Sequence, residues 1–269
     1  MQIPHFWLVV ALYFVAWLLL LLGIVFEKSA FRAFGTRICQ INAVIHGCWI
    51  LVRWIEAGHG PYLNLYEVAS SDAIVAILLY LLVRWRYPKL DPIGILLLPV
   101  AFLLMGFGAM SARQPVSMLP ILDSSWLVVH VVTAKLAFGS YLISGILAMV
   151  YLRKAKGTTN RIINRFPANP VIEELIRKFV TLGFLNHTVM LVSGSIWANV
   201  AFGAYWSWDP IETWSLISWL IYGIFYHMIT IHGFKGPMVA RVCLLAFASI
   251  IFALFGVPFI FVGSHNMFL

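Results

Sequence analysis

The sequence predicts an all-α, polytopic membrane protein with about eight transmembrane helices, an external Trp-rich loop and short interfacial helices. Three observations carry this expectation. Of the 269 residues, 62% are hydrophobic and only 10% charged, with a mean hydropathy of +0.93, against about 25% charged in a soluble domain. Apolar runs of roughly twenty residues, the length that crosses a bilayer, recur along the chain. Lys and Arg gather in alternate loops, which the positive-inside rule places in the cytoplasm. No stretch is left over for a large soluble domain, so 1–269 reads as a single integral domain in the lipid bilayer. The net charge of +8 then belongs to loops at the membrane surface and not to a nucleic-acid-binding face.

The first span, 6–26, has no basic residue before it and exceeds the apolar core of a signal peptide, so it reads as retained. Lys28, Arg32 and Arg37 lead into the second span, 38–55, with His46 mid-way and Arg53 seven residues later on the same helical face. The outer loop EAGHGPYLNLYEVASS, from Glu56 to Ser71, is turned by Gly58, Gly60 and Pro61, and its His59 is expected at the surface. The third span, 69–86, ends in Arg84 and Arg86, and Lys89 precedes the fourth, 93–111. The fifth, 125–152, starts at a Ser-Ser cap before Trp126 and carries His130 near its outer end. The basic stretch 153–178 suits a cytoplasmic link with a short amphipathic helix, its cations on lipid head groups. The sixth span, 178–202, has His187 mid-way. The seventh, 214–232, has His227 toward its inner end, and His265 follows the eighth, 238–262. Both termini and the Trp-rich loop are thereby external. No repeat is evident, and Cys39, Cys48 and Cys243, without CxxC or CxxCH spacing, read as packed core residues.

Candidate chemistry centres on WANVAFGAYWSWDPIETWSLISWLIYGIFY, residues 197–226, with five Trp and no Lys or Arg. An interfacial aromatic belt explains two or three of these Trp. It does not explain Trp206, Trp208 and Trp214 crowding around Asp209-Pro210, which suits a flat, apolar, partly charged ligand. Ionisable residues inside a membrane are costly and mark functional sites by default, although a single intramembrane His is more often a hydrogen-bonded helix contact than a ligand. His130 and His265 fall level with the Trp-rich loop, and two neutral imidazoles can bind haem iron from opposite faces. Asp209 and Glu212 are expected to shape the loop and the start of the seventh helix.

The run WANVAFGAYWSWDPIETWSLISWLIYGIFYH resembles the WWD signature of the CcsA/ResC family, the membrane component of the system II cytochrome c synthase. The likeness extends to RWIEAGHGPYLNLYE, to SSWLVVHVVTAKLAFGSY and to VGSH, and so covers most of the chain, with the WWD region at about 197–219. The resemblance implies a haem-handling subunit that carries haem b, non-covalently and bis-histidine ligated, through the membrane. It would present that haem at the outer face for thioether attachment to the CxxCH of apocytochrome c, as part of a haem lyase. His130 and His265 would be the outer iron ligands, and His46 and His227 the pair within the membrane. Trp206, Trp208, Asp209, Glu212 and Trp214 would form the attachment platform, and Trp197, Tyr205, Pro210 and Arg53 would hold the haem. A separate ResB/CcsB-like membrane subunit is implied, in a bacterial cytoplasmic or thylakoid membrane. Phe202 stands where the family usually has Trp, Ile211 where it usually has Lys, and Lys135 and His187 where apolar residues are usual. The alternatives are a CcmC-like haem exporter or chaperone without ligase activity, or a HemX-like non-catalytic regulator of haem synthesis.

Overall fold

A computed structural model describes residues 3–110 and 118–261. Among these every regular element is helical: α1 (Ile3–Val25), α2 (Ser29–Ala57), α3 (Leu65–Arg86), α4 (Ile93–Gly108), α5 (Ser125–Ala155), α6 (Asn169–Phe202), α7 (Pro210–Thr230) and α8 (Pro237–Ile251). A π-helical turn, Phe252–Gly256, continues α8 into α9, Val257–Ile260. Pro258 supplies no N–H to the preceding turn, a common cause of such local widening.

Among the described residues, six helices are long and apolar enough to cross a membrane: His5–Val25, Ser29–Ala57, Leu65–Arg86, Ser125–Ala155, Asn169–Phe202 and Pro237–Ile260. The protein is thus of integral membrane type. Of the eight expected spans, α4 has 16 residues, about 24 Å of helix against a hydrocarbon core of roughly 30 Å. Helix α7 has 21 residues, but its Trp, Tyr, Ser and His content dilutes its hydropathy. Two boundaries depart from the sequence reading. Helix α2 begins at Ser29 and takes in Arg32 and Arg37. The amphipathic stretch before Lys178 is the first part of α6, because nothing after Pro170 interrupts the helix. Arg177 and Lys178 there pair one turn back with Glu173 (2.8 Å) and Glu174 (2.6 Å).

The chain packs as two compact units: Met1–Val116 with Lys156–Ala168, and Ser117–Ala155 with Asn169–Leu269. In the first, α1 packs on α2 and α4, and α3 on α4 and α2. In the second, α5 packs on α6 and α8, and α7 on α8 and α6. The neighbour order is the same in both, which corrects the expectation that no repeat is present. Local geometry repeats too. A Tyr hydroxyl on the unit's first helix meets the Nδ1 of a buried His on its second: Tyr13 with His46 at 3.3 Å, and Tyr141 with His187 at 3.4 Å.

The loop that follows each of these second helices is also built alike. Gly58 (φ 74) and Gly203 (φ 78) end α2 and α6 in the left-handed region, where glycine carries no Cβ penalty. Their N–H groups donate to Trp54 O and Asn199 O, each at 2.9 Å. Six residues on, Asn64 and Asp209 cap α3 and α7. Three residues further, Glu67 and Glu212 reach back to loop N–H groups, as in a capping box. The pattern G-x5-[ND]-x2-E is shared, but the loop residues between are not, which is why residue identity conceals it.

Candidate functional site

The first unit's loop is closed by charge pairing. Arg53 donates to Glu67 Oε1 from Nε (3.1 Å) and Nη2 (2.8 Å), while Glu67 Oε2 accepts Leu63 N–H at 3.0 Å. Both side chains are almost wholly buried. His59, expected at the surface, is instead 3% exposed. Its Nδ1 donates to Gly60 O at 2.8 Å and lies 3.9 Å from Glu67 Oε2, because the turn folds it over the carboxylate. His46 is fully buried, with Nε2 at 2.9 Å from Ser70 Oγ in addition to its contact with Tyr13.

The second unit's loop is open. Ser195 Oγ donates to Tyr205 O at 2.9 Å, tying the loop back to α6. Glu212 Oε2 accepts Ser207 N–H (2.9 Å) and Ser207 Oγ–H (3.0 Å), and Asp209 Oδ1 accepts Ile211 N–H at 2.9 Å. The two acidic side chains thus fold the loop and start α7. Pro210 sits at the first helical position, where its missing N–H costs nothing. Trp208 is held at φ 60 and is 72% exposed, a backbone state that costs a non-glycine residue about 1–2 kcal/mol. Phe202 and Tyr205 are 56% and 60% exposed.

The five Trp divide. Trp197 is buried and donates to Ile121 O at 3.1 Å. Trp219 donates to Thr188 Oγ1 at 2.8 Å, and Trp214 packs edge-on against Phe252 with ring centroids 4.5 Å apart. That leaves Trp206 and Trp208, edge to face at 6.0 Å, to form an open corner of the loop that follows exposed Tyr205, while Phe202 packs edge-on to Trp197 with ring centroids 5.6 Å apart. The Trp206 indole Nε1 is buried without an acceptor, a cost of about 1–3 kcal/mol for a hydrogen-bonding group. The corner therefore offers apolar faces, which fit a flat aromatic ring system.

His130 packs on α6, the helix that leads into this loop. Its Nδ1 is 2.8 Å from Met190 O on α6. A backbone carbonyl only accepts, so Nδ1 carries the proton and Nε2 the ring's lone pair. This is the tautomer and the backbone anchoring typical of metal-binding His. Along α6, Gly194 precedes Phe202 by eight residues, about 12 Å. Deeper in the same unit, the His187–Tyr141 pair continues into Tyr222, stacked on Tyr141 at 3.7 Å. His227 is exposed in the last turn of α7, 5.0 Å from the His232 ring and edge-on to it.

Trp206, Trp208, Tyr205, Asp209, Pro210, Glu212, Trp214, Trp197 and His130 therefore share the second unit, as does His227 at its other end. His46 and Arg53 belong to the first. His265 lies outside the described residues. Sequence reasoning missed the Arg53–Glu67 pair, the seating of His130 on Met190 and Gly194, and Ser195. Gly194, seven residues after His187 in a helical run, was the one visible signal.

A family model described as cytochrome C assembly protein matches residues 7–265. The chain is 34% identical over 226 residues to the cytochrome c biogenesis protein CcsA of Chlamydomonas reinhardtii, covering 81% of this chain and 63% of that protein. It is 31% identical to the CcsA of Prochlorococcus marinus (strain MIT 9301), covering 91% and 87%, and 30% identical to that of Parasynechococcus marenigrum (strain WH8102), covering 99% and 98%. Among solved structures, the cytochrome c haem lyase CcmF superposes on the whole chain with a TM-score of 0.71 at 18% identity. The chain spans 48% of the length of that protein, and the likeness is one of fold.

Proposed function

The chain belongs to the cytochrome c assembly protein family, and on that basis we propose that it is the haem-handling membrane subunit of a cytochrome c synthase. The observation that carries the reading is the anchoring of His130 Nδ1 on Met190 O of α6, the helix that leads directly into the exposed aromatic loop. Haem b is the cargo: a flat apolar ring with a ligand-seeking iron and two carboxylates. Tyr205, Trp208 and Phe202 would cover its faces, each buried aromatic contributing about 1.5–3 kcal/mol. His130 Nε2 would ligate the iron, with His265 opposite, and His46 and His227 would serve haem in transit.

The chain's own work is positioning. It holds haem in one frame while the CxxCH thiols of an apocytochrome c add across its vinyl groups, a gain from orientation and not from acid–base chemistry. The eight-crossing topology is part of the proposal. Counting α4 and α7 as crossings puts the loops at 58–64 and 203–209 on one face, opposite the basic ends of α3 and α5. That face is the outer or lumenal side of a bacterial cytoplasmic or thylakoid membrane. A ResB/CcsB-like subunit completes the synthase.

Co-expression with such a subunit and an apocytochrome bearing CxxCH tests the reading. Covalent haem on the cytochrome, lost with Trp208→Ala, is the expected result. Haem-free cytochrome in the presence of both subunits, or covalent haem formed equally without this chain, contradicts it.

A further inference from the structure

We infer that Gly194 is a positioning residue for His130: its missing side chain is the seat that turns the imidazole toward haem, an inference that rests on the function proposed above. A Cβ built at Gly194 would stand 2.5 Å from His130 Nδ1, 2.8 Å from Cε1 and 3.5 Å from Cγ. Cβ atoms do not approach an imidazole nitrogen so closely, so a side chain at 194 must shift the ring from this position. One turn earlier on the same helix, Met190 O takes the Nδ1 proton at 2.8 Å. Displacing the ring by a methyl group's width therefore breaks the bond that fixes the tautomer. The seat and the acceptor act as one device on the α6 surface.

A packing glycine that merely lets two helices approach is the simpler account, and the same seam supplies the comparison. Eleven residues earlier on α6, Gly183 receives Tyr141, eleven residues after His130 on α5; a Cβ there would lie 2.4 Å from the Tyr141 ring. Eleven residues make just over three full turns, so both seats lie on one antiparallel seam. Gly183 seats a ring whose hydroxyl turns to His187 within the core. Gly194 seats a ring next to the α6 carbonyl that holds its proton on Nδ1.

The first unit shows what the position becomes without this task. Three and seven residues after His46, where α6 has Met190 and Gly194, α2 has Trp49 and Arg53. Trp49 stacks on His5 with ring centroids 5.3 Å apart, and Arg53 is locked on Glu67. Side chains fill the place that glycine leaves open in the second unit.

The test compares purified wild type, Gly194→Ala, His130→Ala, the double variant and Gly183→Ala for haem content and spin state, with and without added imidazole. Loss of an outer-shell partner of a metal ligand weakens binding about 10–100-fold. Gly194→Ala should therefore lose low-spin haem to that extent and recover it with imidazole, as His130→Ala does. The double variant should match His130→Ala, since a methyl group fits once the ring is gone, and this includes the folded yield if Gly194→Ala alone folds poorly. Gly183→Ala should lower folded yield with haem per folded protein unchanged. Low-spin haem retained in Gly194→Ala, a loss that imidazole does not restore, or a double variant that folds as poorly as Gly194→Ala overturns the inference. A wild-type spectrum in His130→Ala overturns the proposed function itself.

Discussion

Trp208 combines high exposure with a left-handed backbone, so its stability and function effects should separate. Trp208→Gly removes the strain of about 1–2 kcal/mol and deletes a side chain that is 72% exposed. The thermal unfolding midpoint in detergent should hold or rise, while haem content falls roughly tenfold with the loss of one aromatic face. A fall in both would show that the ring is structural. Arg53 and Glu67 present the opposite case, a buried pair whose side chains are 5% and 1% exposed. Breaking such a pair from one side costs about 3–5 kcal/mol, whereas replacing both partners by apolar residues often costs little. Arg53→Met should thus unfold at markedly lower temperature than wild type, and Arg53→Met/Glu67→Met should recover part of the difference. Neither pairing nor strain was legible in the sequence: the two charges are fourteen residues apart across a loop, and positive φ at a Trp has no sequence signal.

The loop between α6 and α7 stands on two carboxylates with different work. Asp209 caps the helix through one oxygen, so Asp209→Ala should cost about 1 kcal/mol and fray the first turn of α7. Glu212 instead gathers the N–H and the hydroxyl of Ser207 on one oxygen. An amide keeps that acceptor, so Glu212→Gln should preserve haem content and Glu212→Ala should lose it; equal loss in both would place the need in the charge and not the fold of the loop. The acid-capped start of α7 was legible, since Asp-Pro followed by Glu is a helix-start pattern. The division of labour among the five Trp was not. Indole spacing looks alike whether the N–H meets Ile121 O, as in Trp197, or no acceptor, as in Trp206. The start of α6 at Asn169 was misjudged for a related reason: charge marks the end of a hydrophobic span, but a helix runs on past it.

Across the molecule, hydropathy gave class and approximate spans because a bilayer imposes its own length on each run. The repeated pattern stayed hidden because it lies in helix order and in sparse turn residues, Gly58, Asn64 and Glu67 against Gly203, Asp209 and Glu212. The two units have diverged in what they expose, one loop sealed by Arg53 and His59, the other open at Trp208. The proposed eight-crossing topology is checked by labelling single cysteines in a Cys48→Ser background, Cys39 and Cys243 being buried. An impermeant thiol reagent should reach Ala204→Cys in intact cells and Lys156→Cys only after permeabilisation; the reverse pattern inverts the protein in its membrane. The most direct test of the account is the optical spectrum of haem on the purified chain with and without the His130 imidazole. The wild type should show low-spin, bis-histidine haem, and His130→Ala should lose that signature and regain it with added imidazole. An unchanged low-spin spectrum in His130→Ala would contradict the proposed haem site.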